Sequence, residues 1–175
     1  MFVLELWDDE CAKTTFYTVR KDGAEHNEMD KFLLKFRDKP GFEKAVRQLN
    51  ALILLEIGGN YGAKEAFFNR PEEGSFGLPP KGTIRMGQIR LRYKNFPLRL
   101  YAIRVEERED LVVLFNGGAK ESGTNIDSPE LHHVMQEAKM FAKKITAALH
   151  EGAIEIDEKN LKLRSADGEE EIVIH

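Results

Sequence analysis

Alternation of apolar and polar residues opens the chain and predicts two β-strands. Phe2, Leu4 and Leu6 occupy every second position of the first segment, as in a strand with one buried face. After a polar break, residues 14–20 form a second run of this kind, and Asp22-Gly23 supplies a turn signal at its end. A β-hairpin is the simplest arrangement of such runs.

Helical spacing replaces the alternation after residue 26. Asn27 is a suitable N-cap, with Asp30 three residues later to face the free amides of the first turn. Pro40-Gly41 ends this helix, and a second apolar stripe predicts another over about residues 42–57. Gly58-Gly59 would terminate it. The two helices are expected to form an αα-hairpin.

The middle of the chain predicts a loop followed by three strands. Glycines and prolines punctuate residues 60–80, which favours irregular structure. Strands are expected over about residues 83–93, 98–105 and 111–115, joined by short polar turns. Short connections of this kind predict an antiparallel meander.

A helix and a small β extension complete the predicted order. Ser128-Pro129-Glu130 is a strong helix start, and apolar residues follow at helical spacing until Gly152. Residues 153–175 then alternate around turn signals. The pattern therefore predicts an α+β domain over residues 1–152 and a β-rich C-terminal extension over residues 153–175.

Composition narrows the class of protein. The chain has 175 residues, a net charge of −4 and one cysteine, Cys11. No apolar run approaches the roughly 18 residues of a membrane span, and the N-terminus lacks a basic leader. We therefore expect a cytoplasmic protein without membrane contact. His132 and His133 are adjacent, so they diverge on a helix and predict no metal site.

Residues 82–104 are basic and contain no Asp or Glu, although the whole chain is acidic. Arg90, Arg92 and Lys94 alternate along one predicted strand and therefore share a face. If the apolar residues of the next strand face the helices, Arg99 and Tyr101 lie on the same face as Arg90, Arg92 and Lys94. Such a surface suits phosphate, because guanidinium donates paired hydrogen bonds to its oxygens and keeps its charge. The alternative is a solvated face, or one paired with the glutamates of residues 106–109.

Four phrases of the sequence resemble the RelE/ParE/HigB superfamily of type II toxins, in its HigB-like and phage-derived branch. FYTVRKDGAEHNEMDKFLLKF resembles the opening strand and first helix of that branch, and IRLRYKNFPLRLYAI resembles its arginine-bearing strand pair. LVVLFNGGAKES resembles the next strand and turn, and PELHHVMQEAKMFAKKI the closing helix. The resemblance covers about residues 14–148.

This resemblance implies a ribosome-associated endoribonuclease that cuts mRNA without a metal or other cofactor. It also implies a cognate antitoxin protein as partner and leaves a homodimer open. The 2′-hydroxyl would attack the neighbouring phosphate, which requires a base and cations for the developing charge. The implied catalytic residues are Arg99, Arg92, Lys120 as a second cation and Glu121 as the base. The implied RNA-binding residues are Arg85, Arg90, Lys94 and Tyr101, with Tyr101 stacking on a base.

Several features depart from the family pattern. The chain is acidic and longer than the usual ribonuclease member, Asn116-Gly117-Gly118 replaces an apolar-aromatic-basic run, and Ala119 stands at a lysine position. Two alternatives therefore stay open: a toxin-fold protein that binds or regulates without cleavage, and a ParE-like gyrase inhibitor. A further hypothesis is that Glu169, Glu170 and Glu171 fold over the arginines and mask them. The alternative is that the extension only lengthens the sheet or forms a dimer contact.

Overall fold

The computed structural model describes residues 1–69, 76–120 and 128–175, and within these ranges the chain is an α+β protein. The helical elements are α1 (Glu28–Phe36), α2 (Glu43–Asn50), a π-helix (Ala51–Tyr61) that continues α2, two 3₁₀ turns (Glu65–Phe67 and Val105–Glu107) and α3 (Pro129–His150). The strands are β1 (Phe2–Asp8), β2 (Thr15–Lys21), β3 (Phe76–Leu78), β4 (Gly82–Met86), β5 (Ile89–Tyr93), β6 (Leu98–Arg104), β7 (Leu111–Ala119), β8 (Ile154–Asp157), β9 (Lys162–Ser165) and β10 (Ile172–Ile174).

Six strands form the main sheet, in the order β10-β1-β2-β7-β6-β3. The pair β2-β7 is parallel and every other neighbouring pair is antiparallel. A parallel pair needs a long crossover connection. Here α1, α2 and the π-helix lie in that crossover, so the order strand, two helices, strands and closing helix agrees with the prediction.

The main sheet is covered on both faces, which gives two hydrophobic cores. Along β7, Val113 and Phe115 pack in a first core with α3, while Val112 and Leu114 pack in a second core with α1, α2 and the π-helix. Both sets are almost fully buried. The continuous apolar run of β7 is the pattern expected of a strand buried on both faces.

The helix ends confirm two predicted caps and correct one predicted terminus. The Asn27 side chain accepts a hydrogen bond from the Asp30 N–H at 2.8 Å, and Ser128 Oγ accepts one from the Leu131 N–H at 3.1 Å. The second helix does not end at Gly58-Gly59 but continues as a π-helix to Tyr61. Gly58 is packed against Cys11 there, so its lack of a side chain serves a close approach inside the helix.

The predicted three-stranded meander is wrong in its first strand. Gly87, with φ of 58°, breaks the predicted strand over residues 83–93 into β4 and β5, which form a separate two-stranded sheet. In the main sheet, β3 pairs with β6 at the position that the prediction gave to the strand over residues 83–93. β3 lies in residues that the sequence pattern assigned to a loop, because a three-residue strand is too short to show a period.

The C-terminal extension shares the core of the main sheet. Ile154, Leu163, Ile172 and Ile174 belong to the first core, and β10 pairs with β1. The Tyr17 hydroxyl accepts a hydrogen bond from the Leu163 N–H at 2.8 Å and donates one to the Leu163 carbonyl at 3.3 Å. The chain after residue 152 therefore packs as an integral part of the fold.

The masking hypothesis is contradicted by the position of β10. Glu169 to Glu171 precede β10 at the outer edge of the main sheet. Four strand spacings separate β10 from β6, or roughly 19 Å at the usual interstrand distance. Glu171 lies close enough to Arg20 to help raise the pKa of that guanidinium, after the larger effect of Glu5. The extension lengthens the sheet, as the alternative expected.

Candidate nucleic-acid interface

The hairpin of β4 and β5 carries three arginines on one face. Arg85 pairs directly with Arg90, and Thr83 pairs with Arg92. Directly opposed residues of an antiparallel pair point the same way, as do residues two apart in one strand. All three arginine side chains are exposed. They form a compact cationic surface, which we call the arginine face.

The opposite face of this hairpin is apolar and fixes its orientation. Ile84, Met86 and Leu91 are partly buried against the second core, and Tyr93 is only 7% exposed. A hairpin of two strands is marginal by itself and needs such packing. Because the pleat alternates, burying this side forces Arg85, Arg90 and Arg92 outward.

The arginine face and the neighbouring Lys94 have no acidic partner in the described part of the chain. Residues 76–105 contain seven Lys or Arg and no Asp or Glu. Within the described ranges, Arg85, Arg90, Arg92 and Lys94 make no hydrogen bond or ion pair through their side chains. In contrast, Arg108 forms forked contacts with both Asp110 and Glu158, at 2.5–3.0 Å. The arginine face therefore keeps its positive potential.

A groove of about 500 Å³ lies between α2 and the turn that joins β5 to β6. Three cations, Lys44 of α2, Arg92 of β5 and Lys94 of the turn, line it, and no acidic residue does. The remaining lining residues are Gly41, Ala45, Gln48, Tyr93, Asn95, Phe96 and Pro97. Because Arg92 belongs to both, the groove is continuous with the arginine face.

Aromatic rings line the groove beneath these cations. Tyr93 and Phe96 pack edge to face with ring centroids 5.7 Å apart, and each is 7% exposed. Burial raises the pKa of Tyr93 to about 12, with a smaller contribution from the Glu56 carboxylate. The phenol is therefore neutral at physiological pH, and the groove combines an apolar wall with a cationic rim.

Arg99 and Lys120 lie together elsewhere, at the ends of β6 and β7. Arg99 pairs with Gly118, and the Lys120 N–H donates to the Pro97 carbonyl at 2.8 Å. This register places both side chains on the α3 side of the main sheet, and both are half-buried. The aliphatic part of Arg99 crosses Gly77 of β3, where an added Cβ would lie 3.3 Å from its Cδ.

The structure does not bring the predicted site residues onto one surface. Leu98, Leu100 and Ala102 of β6 face the second core, against which the β4-β5 hairpin packs. Arg99 consequently points to the opposite side of the sheet from Arg92. The predicted convergence assumed that both belonged to adjacent strands of one sheet.

Tyr101 cannot stack on a base as predicted. Its exposure is 0%, because it lies in the first core beneath α3. Alternation correctly put Tyr101 on the same side of β6 as Arg99, but the sequence did not show that α3 covers that side. Glu121, the predicted base, lies outside the described residues.

Sequence reasoning missed Lys44 and Gln48 as residues of the groove. Both are exposed on α2 and lie four positions apart, so they share one side of the helix. That spacing was visible in the sequence. What was not visible is that this side of α2 faces the turn at Lys94 and Asn95, which only the packing of the hairpin decides.

Comparison of the chain with family models, curated proteins and solved structures finds no match. The resemblance to the toxin superfamily thus stays a prediction from the sequence phrases. In the ranges that the structure describes, no helix combines the length and apolar character of a membrane span. The same ranges hold no group of three or more His, Cys, Asp or Glu side chains placed to bind a metal.

Proposed function

We propose that the protein binds RNA through the arginine face. The observation that supports this proposal is the set of exposed guanidinium groups at Arg85, Arg90 and Arg92, which have no anion among the described residues. Opposed like charges destabilise a strand pair. A bound phosphate backbone would remove that repulsion by supplying the missing anions.

The geometry of the arginine face suits a backbone that crosses the hairpin. Arg90 and Arg92 are two residues apart on β5, which separates their Cα atoms by roughly 6.7 Å. Arg85 opposes Arg90 across the pair. Paired hydrogen bonds from each guanidinium would hold successive phosphates without reading the bases. A single strand is favoured over a duplex, because the adjoining groove has room for an unstacked base.

Salt-dependent binding tests this proposal. We expect Arg85→Gln/Arg90→Gln/Arg92→Gln to weaken binding of a single-stranded RNA at least tenfold and to lower the slope of log K against log salt by about 2. The matched control is Lys13→Gln/Lys143→Gln/Lys159→Gln, which removes the same charge from exposed positions elsewhere. Equal losses in the two triple variants would show that only net charge matters and would contradict the arginine face.

A second candidate function is the endoribonuclease implied by the toxin resemblance. It is favoured by Arg99 and Lys120, two cations on one side of the main sheet at neighbouring positions. In this proposal they stabilise the phosphate during attack by the 2′-hydroxyl, Glu121 is the base, and no metal takes part. Arg92 would hold RNA and not the scissile phosphate. A cognate antitoxin, mRNA and the ribosome are the partners this function requires.

Expression with mapping of mRNA ends tests the cleavage. We expect discrete new ends with the wild type and in the presence of a chelator, and their loss with Arg99→Ala or Lys120→Ala. Arg104→Ala is a control on the same strand, since its Nη2 donates to the Glu107 carbonyl at the far end of β6. Absence of new ends with intact RNA binding supports the regulatory alternative, and broken DNA supports gyrase poisoning.

A further inference from the structure

The groove beside α2 has a volume comparable with that of small-ligand sites. Its volume of about 500 Å³ falls within the roughly 300–1,000 Å³ that is usual for such sites. It opens onto the arginine face at Arg92. A ligand in the groove can therefore be one nucleotide of an RNA strand that continues over the β4-β5 hairpin.

The side-chain charges that line the groove are all positive and favour a ligand with a phosphate group. Lys44, Arg92 and Lys94 come from a helix, a strand and a turn, and no carboxylate is among the lining residues. None of the three forms an ion pair within the described ranges. Three cations that line one groove without a counterion suit a phosphate, to which ammonium and guanidinium groups both bind.

The rest of the lining suits a planar base. Phe96, Tyr93 and Pro97 give the groove an apolar side, although the rings of Phe96 and Tyr93 are each only 7% exposed. A base in contact with this side would be partly shielded from water. Gln48 and Asn95 contribute amide groups that both donate and accept hydrogen bonds, as the edges of nucleobases require. Asn95 has φ of 53°, a conformation that Asn and Gly tolerate best.

We propose that this groove binds one unpaired nucleotide of the RNA, with its phosphate at Lys44, Arg92 and Lys94 and its base between the Tyr93–Phe96 wall and the Gln48 and Asn95 amides. The proposal rests on the proposed RNA binding and adds the nucleotide unit that is recognised. The same chemistry could come from a free nucleoside monophosphate, so the test includes both.

The experiment compares a short single-stranded RNA, an abasic strand of equal length and free UMP or AMP. Wild type should bind the RNA about tenfold more tightly than the abasic strand, because a base contact adds to the phosphate contacts. Asn95→Gly, which keeps the left-handed turn, and Gln48→Ala should each remove most of that difference and leave binding of the abasic strand unchanged. Saturable binding of free UMP or AMP that Lys44→Gln abolishes would identify the free nucleotide as a second occupant.

Lys44→Gln and Arg47→Gln form the matched pair for the phosphate. Both positions are exposed on α2 and both changes remove one charge, but only Lys44 lines the groove. We expect Lys44→Gln to weaken RNA binding about fivefold or more and Arg47→Gln to weaken it less than twofold.

The outcomes separate this inference from the proposed function. Equal binding of the RNA and the abasic strand, with Asn95→Gly and Gln48→Ala behaving as wild type, overturns the groove proposal even if the arginine triple variant loses binding. Loss of RNA binding in the groove variants, with an Arg85→Gln/Arg90→Gln double variant unaffected, supports the groove and overturns the arginine face, because neither Arg85 nor Arg90 lines the groove.

Discussion

Arg85 and Arg90 face each other across the β4-β5 pair. The same two charges therefore affect both the stability of the hairpin and the proposed binding of RNA. Like charges directly opposed on adjacent strands destabilise a sheet by some tenths of a kcal/mol to about 1 kcal/mol. The hairpin therefore retains an unfavourable contact that a bound anion would relieve.

Arg85→Glu should stabilise the protein and weaken its binding of RNA. The change converts a repulsive pair into an attractive one, and we expect the free energy of unfolding to rise by about 0.5–1 kcal/mol. Urea unfolding and RNA titration measure the two effects. Lys81→Glu, which makes the same charge change at an exposed position just before β4, should leave the stability within about 0.5 kcal/mol of wild type. A fall in stability with Arg85→Glu would contradict the register-based repulsion.

The buried phenol of Tyr93 makes the stability of the fold depend on pH. Its pKa is raised to about 12 by burial, whereas an unfolded tyrosine titrates near 10. Between these values the folded chain keeps a proton that the unfolded chain loses, so the stability is full below about pH 10 and falls as the pH rises toward 12.

Tyr93→Phe should remove this alkaline loss. We expect the free energy of unfolding of the wild type to fall by about 2 kcal/mol more than that of the variant between pH 9 and pH 12, since each pKa unit corresponds to a little over 1 kcal/mol. Urea denaturation at half-unit steps of pH measures the difference. Parallel curves for the two proteins would show that Tyr93 is not buried as described.

At the scale of elements, Asn116-Gly117-Gly118 makes a close approach of two strands possible. The register of β6 against β7 shifts between Leu100 and Ala102, and a Cβ at Gly117 would lie 2.1 Å from the Arg99 carbonyl oxygen. The presence of Asn116-Gly117-Gly118, where the toxin superfamily that the sequence phrases resemble has other residues, therefore has a physical reason in this chain. It is a bulge that needs glycine, next to the strand that carries Arg99.

Gly117→Ala should destabilise the protein by about 2 kcal/mol or more, because backbone atoms must move to admit the methyl group. Gly59→Ala is the matched control: its φ is not positive and the nearest atom to its added Cβ is the Leu54 carbonyl oxygen at 3.5 Å. We expect that control to be neutral or slightly stabilising. Thermal unfolding compares the two variants, and an equal effect of both would refute the close approach.

At the scale of the whole molecule, charge is segregated. The chain carries −4 in total and residues 76–105 carry +7, so the remaining residues carry −11. On the proposed function, this net acidic protein would bind a polyanion locally, at the hairpin and groove, and the acidic remainder of the surface would repel it. The acidic C-terminal residues contribute to this asymmetry from the β10 edge of the main sheet.

Truncation after Gly152 should unfold the protein or destabilise it severely. It removes four buried residues of the first core and the strand paired with β1, a loss of about 5 kcal/mol or more at the usual contribution of buried aliphatic side chains. Glu169→Gln/Glu170→Gln/Glu171→Gln removes only exposed charge and should leave the unfolding midpoint in urea nearly unchanged. A stable truncated protein with raised RNA affinity would restore the masking hypothesis.

Features that depend on neighbouring residues along the chain were predictable from the sequence alone. The caps at Asn27 and Ser128, the order of strands and helices, and the shared side of Arg90 and Arg92 follow from local hydrogen bonds and the two-residue pleat. The effect of single glycines was not predictable from local signals. Gly87 follows the end of β4, whereas Gly58 lies inside a helix, where Cys11 packs against it.

Contacts between distant parts of the chain determine which strands share a sheet and which faces are covered, and these contacts were not predictable from the sequence. The hairpin packs on the second core and leaves Arg92 outside, α3 covers Tyr101, and α2 brings Lys44 to the groove. Periodicity fixes relative directions within a strand, but whether a given side meets solvent depends on residues distant in the chain. The basic segment over residues 82–104 could therefore be predicted from the sequence, whereas the division of its arginines between two surfaces could not.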